Sequence, residues 1–166
     1  MKEKTKKLTF LAVSATLALV LSYLEAILPP ISLTVPGIKL GLPNIVIICL
    51  LYRYGVKEAA TVSGLRLVAV WLLFGNLMTA IYSLAGAVLS LALMAILKKL
   101  SLFSTVGVSV VGGITHNLGQ ILVAIFLFDS LSIGYYMLVL TVTGTVAGVF
   151  VGLASVFLQK RLQSIW

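Results

Sequence analysis

The sequence predicts an all-α membrane protein, a bundle of six transmembrane helices with its N- and C-termini in the cytoplasm. Three observations carry this. The chain of 166 residues is 61% hydrophobic and only 10% charged, which is more apolar surface than a domain of that size can hide from water. Its apolar residues gather into six runs. Its basic residues gather at alternate ends of those runs.

The first helix is placed at 8–28, behind Lys2, Lys4, Lys6 and Lys7. A basic start followed by an apolar run also resembles a signal peptide, but this run continues to Leu28 without a clear cleavage site, so it reads as an uncleaved helix. The second and third helices, at 39–53 and 57–74, rest on shorter runs. The last three are placed at 76–98, 105–128 and 134–159. With the N-terminus inside, Arg53 with Lys57, Lys98 with Lys99, and Lys160 with Arg161 all fall on the cytoplasmic side. The opposite connections carry only Lys39 and Asp129. The formal net charge of +8 therefore marks membrane ends facing a lipid bilayer, not a nucleic-acid partner. Cys49 is the single cysteine; it excludes a disulfide framework and reads as a small buried thiol.

All four prolines lie in or beside the connection between the first two helices, "LPPISLTVPGIKLGLPN". Pro36 and Gly37 in "VPGI" fit a type II turn, with proline fixing φ and glycine supplying the positive φ that follows. This segment is either an ordinary hairpin or a cap over the outer mouth of a cavity, with Pro36, Gly37 and Gly41 shaping it.

Polar side chains at membrane depth are costly unless they meet a partner or a wet cavity. Glu25 falls in the last turn of the first helix and Lys39 opens the second, both near the outer surface. Arg66 falls about 13 Å beyond Lys57, near the midplane. His116, the only histidine, lies about 16 Å into the fifth helix. Around that helix His116, Gln120 and Asn117 sit at about 0°, 40° and 100°, so they share one wedge. Asn44 joins from the second helix, Asn76, Thr79 and Ser83 from the fourth, and Thr141, Thr143 and Thr145 from the sixth. A cavity open to the outside, about +1 in charge, would produce this distribution and suit a small polar or anionic ligand. The alternatives are an ion pair of Glu25 with Lys39 at the rim and hydrogen-bonding glue between helices for the rest.

Neither a metal site nor a cofactor site is expected, because one histidine, one distant cysteine and no paired carboxylates do not make a ligand set. The acidic residues are Glu3, Glu25, Glu58 and Asp129, too scattered to hold Mg²⁺ with a substrate phosphate. No P-loop, nucleophile elbow or zinc-protease signature is present, so catalysis is not the favoured class. Ala12, Ser14, Ala15 and Ala18 form a low-relief strip on the first helix, a candidate partner contact. Gly144, Gly148 and Gly152 repeat at four-residue spacing and argue for a tight contact of the sixth helix.

The stretches "YLEAILPP", "VPGIKLGLPNIV", "SGLRLV", "SLAGAVLSL" and "GVSVVGGITHNLGQ" together resemble the Gx transporter family, also labelled heptaprenyl diphosphate synthase component I. That family is similar to the substrate-binding S components of energy-coupling factor (ECF) transporters of the bacterial cytoplasmic membrane. The resemblance implies a six-helix bundle that binds a micronutrient-like small molecule from outside. It also implies docking on a transmembrane T component driven by cytoplasmic ATPases. The matching motif positions are Glu25, Pro36, Gly37, Lys39, Gly41, Asn44, Arg66, His116, Asn117 and Gln120. S components dock through an Ala-x-x-x-Ala strip on the first helix; here only Ser14 and Ala18 keep that spacing. The other label implies a membrane companion of prenyl diphosphate or quinone metabolism.

Overall fold

Each apolar run contributes a helix to the computed structural model, which describes residues 2–27 and 40–163. Among these residues there are six α-helices: α1 Lys2–Ile27, α2 Leu42–Arg53, α3 Val56–Leu73, α4 Leu77–Leu100, α5 Thr105–Phe128 and α6 Tyr136–Gln163. A short 3-10 helix, Leu131–Tyr135, leads into α6, and no strand occurs among the described residues. Four stretches, Lys2–Ile27, Leu77–Leu100, Thr105–Phe128 and Leu131–Arg161, are long and apolar enough to cross a membrane. Of the other two, α2 is apolar but has only 12 residues, and α3 carries Lys57, Glu58 and Arg66 along its 18.

Two helix starts differ from expectation by three residues or more. α1 begins at Lys2, well before the apolar run, because lysine and glutamate favour helix as much as the apolar residues after them do. α2 begins at Leu42 instead of 39. Gly41 adopts a left-handed φ of +73°, which L side chains resist, and Pro43 in the first turn needs no hydrogen-bonded N–H. The helix is therefore only about 18 Å long.

α2 is apolar on every side and accordingly lies inside the bundle. Val46, Ile47, Ile48, Cys49, Leu50 and Leu51 are all buried. It packs against α1, α3 and α6, while α3 meets α4, α4 meets α5 and α5 meets α6, so the last five helices close a ring with α1 against its outside. Ser14, Ala18 and Ser22 are the buried residues of α1. The small strip expected to contact a partner is thus largely used within the chain: Ser14 and Ala18 face inward, Ala15 is half-buried, and Ala12 is exposed.

Glycines set the ring's closest crossings. A Cβ on Gly148 would lie 2.6 Å from Val110 Cα, one on Gly152 2.8 Å from Val106 Cα, and one on Gly119 2.7 Å from the Ala85 carbonyl oxygen. The four-residue glycine spacing of α6 therefore does what it suggested, bringing the α6 backbone onto α5.

The basic residues meet at one end of the bundle. Lys7 Nζ lies 2.5 Å from Glu58 Oε1, the Arg53 guanidinium sits 5.1 Å over the Phe10 ring, and Lys98 Nζ donates to the Leu51 carbonyl at 2.5 Å. That last bond places a cation on the carbonyl end of α2, where the helix dipole favours it.

Candidate functional site

The short α2 stops part-way up the bundle. Gly41 lies beside Val151, which is about 15 Å along α6 from Arg161 at the basic end. Glu25 reaches down to this point from the last turn of α1, and its Oε1 accepts the Gly41 N–H at 2.5 Å. A carboxylate at a helix N-terminus is well placed, since it takes an orphan N–H and faces the positive end of the dipole. Glu25 lies in the last turn of α1, as expected, and is half-buried, tied to the start of α2. Lys39, its expected rim partner, lies outside the described residues, as do Pro36 and Gly37.

Below and beside this junction is a cavity of about 620 Å³ to which all six helices contribute. The α5 wall is Ser109, Gly112, Gly113, His116, Asn117 and Gln120, a single stripe at helical spacing. The α3 wall is Arg66, Leu67, Val70, Trp71 and Phe74, again one face. Glu25, Gly41, Asn44, Arg66, His116, Asn117 and Gln120, read separately from the sequence as site residues, all line this one space. Thr79 and Ser83 border it as well.

Arg66 is about 15 Å from the start of α3. Its Nη1 donates to Ser22 Oγ at 3.2 Å, and its Nε is shielded from solvent with no hydrogen-bond partner among the described residues. Glu25 attracts it electrostatically, yet the carboxylate bonds to Gly41 and the guanidinium to Ser22. A guanidinium has five N–H donors, so Arg66 keeps capacity for an anion in the cavity. Gln120 Nε2 lies 3.4 Å from His116 Nε2, so the amide and the imidazole meet on one face of α5. The imidazole packs over Gly86, where a Cβ would come within 2.9 Å of the ring.

Other polar residues serve the scaffold. Asn117 Nδ2 donates to the Leu140 carbonyl at 2.8 Å, joining α5 to α6. Asn76, expected on the polar face of the fourth helix, instead forms a reciprocal capping box with Thr79 at the start of α4. Thr141, Thr143 and Thr145 return their hydroxyls to carbonyls of α6, at Met137, Val139 and Thr141. None of the three lines the cavity. Sequence reasoning missed Trp71 and Phe74, whose apolar character hides them among lipid-facing residues. Their spacing from Arg66, about one and two turns on, was the available signal. It also missed Ser22, Ser90 and Ser109.

The family model described as heptaprenyl diphosphate synthase component I matches residues 15–158. The chain belongs to this family. The matched span reaches from the middle of α1 to the last turns of α6, so the whole described lining of the cavity falls within the family's common region. No curated protein and no solved structure matches the chain.

Proposed function

We propose that the chain is the substrate-capturing membrane subunit of an uptake system, of the kind represented by S components of energy-coupling factor transporters. It spans the bacterial cytoplasmic membrane six times with both termini inside. It takes a small anionic or polar, micronutrient-like molecule from outside into the central cavity. One observation supports this above all: Arg66 lines a 620 Å³ cavity half-way along the bundle, with donor capacity that its neighbours do not use. A volume of this size falls in the range of small-molecule sites. Arg66 anchors the anionic group, Gln120, His116 and Asn44 orient polar atoms, and Trp71 with Phe74 covers an apolar face. Glu25 keeps the α2 end of the cavity in place. As the chain carries no nucleotide-binding motif, active uptake requires an energising partner.

Native mass spectrometry of the purified chain tests this. Wild type is expected to retain a small molecule that Arg66→Gln loses, and a tagged chain is expected to recover a transmembrane protein together with ATPases. A ligand-free wild type that recovers neither contradicts the reading. The family description favours a second reading, a membrane companion of prenyl diphosphate synthesis with Arg66 on the diphosphate. It predicts that prenyl transfer by a soluble partner depends on adding the purified chain, and that Arg66→Gln abolishes the dependence.

A further inference from the structure

The cavity continues past Arg66 toward the basic end of the bundle, where Ser90, Met94 and Ser109 border it. Along α5, Ser109 is about 10 Å below His116. Ser109 is 2% exposed and Ser90 3%. The Ser109 Oγ is the one hydroxyl oxygen among the described residues that is shut off from solvent with no hydrogen-bond partner. Other buried or half-buried hydroxyls do not share this condition: Ser22, Thr115, Thr145 and Ser155 each donate to the carbonyl four residues back. Ser109 could do the same toward Thr105 and does not. An unpaired hydroxyl in an apolar interior is costly and calls for a missing partner. Between the two serines Gly112 removes a side chain. A Cβ there would fall 3.3 Å from Ser90 Oγ and, nearer still, against Met94, so this end is lined by backbone, the two serine hydroxyls and the Met94 thioether.

From this we infer that Ser109, with Ser90 beside it, is a second binding point at the inner end of the cavity. The ligand is then an elongated anion, its charged group at Arg66 and a hydroxyl or carbonyl at the far end, hydrogen-bonded to Ser109. The inference rests on the reading of the cavity as an anion site and adds its length and its second chemistry. A chain ending in methyl groups would leave the Ser109 hydroxyl unpaired, which sets prenyl tails apart from the expected ligand class.

Octanoate and ω-hydroxyoctanoate make the test, because they share charge and chain length and differ by one hydroxyl. Binding of each to the purified full chain in lipid nanodiscs is measured by displacement calorimetry. Wild type is expected to prefer the hydroxy acid by about five- to tenfold, the range of one net hydrogen bond. Ser109→Ala is expected to erase that preference while leaving octanoate unchanged, and its ligand-free melting temperature should not fall, since the hydroxyl has no partner to lose. Arg66→Gln should weaken both acids about tenfold or more. If Arg66→Gln weakens both acids but wild type shows no preference, or the preference survives Ser109→Ala, the inner binding point is overturned alone. If neither acid binds wild type, or Arg66→Gln changes nothing, the anion site itself falls and the inner point with it.

Discussion

Replacing Gly148 by alanine adds one methyl group where α6 crosses α5. The new Cβ would stand 2.6 Å from Val110 Cα and 2.9 Å from the Ser109 carbonyl oxygen. Both are backbone atoms, so no side chain can swing aside. Carbon atoms rest about 3.5–4.0 Å apart, and the two helices must therefore separate by about 1 Å at this level. Overpacking of this kind costs about 2 kcal/mol, and the strain does not stay local, because close-packed interiors transmit displacement. Gly64→Ala is the internal control: it sits in α3 with nothing within 4 Å of the added methyl, so it gains about 0.5–1 kcal/mol from the stiffer backbone. Thermal melts of the detergent-solubilised chain, followed by tryptophan fluorescence, should move in opposite directions for the two variants. A Gly148→Ala protein that melts at or above wild type would refute the argument that backbone contact holds α5 on α6.

Three further outcomes follow from the same geometry. Glu25→Gln keeps an acceptor for the Gly41 N–H and removes a negative charge from beside Arg66, so it should cost about 1 kcal/mol of stability while octanoate binding tightens; weaker binding in a titration would contradict Arg66 as the anion anchor. Asn117→Leu removes the bond to the Leu140 carbonyl and should lower stability by about 0.6–1 kcal/mol, with an unchanged melt showing that the amide is not structural. Lys98→Met leaves the Leu51 carbonyl without its cation and should cost about 1 kcal/mol, read as earlier proteolysis at the Tyr54–Gly55 turn.

Hydropathy made the helices legible, and α5 is found at the expected 105–128. It reads poorly what is helical without being apolar: the lysine-rich first turns of α1 belong to the helix although they do not belong in lipid. It also missed the start of α2, which a left-handed glycine decides and a count of apolar residues does not. For the site, depth combined with polarity found Arg66, His116 and Gln120, because a strongly polar side chain in an apolar run has few uses. The same rule overreached at Thr141, Thr143 and Thr145, since a threonine on a helix can satisfy itself on the preceding turn. It fell short at Trp71 and Ser109. An aromatic ring facing a cavity looks in sequence like one facing lipid, and whether a serine bonds to its own helix depends on a rotamer that the sequence does not record.

The brevity of α2 bears on how the chain is built. Twelve residues are fewer than the roughly 17 that a bilayer-spanning segment needs to partition by itself, and the N–H of Gly41, just before its first turn, is held by Glu25 of another helix. α2 is therefore held in the bundle as half of a hairpin. The Tyr54–Gly55 corner, with Gly55 at a φ of +110°, joins it to α3, whose Arg66 equally needs Ser22 of α1 for a partner. The first three helices are therefore one mutually dependent unit, each packed on the other two and completing polar groups its neighbours leave open.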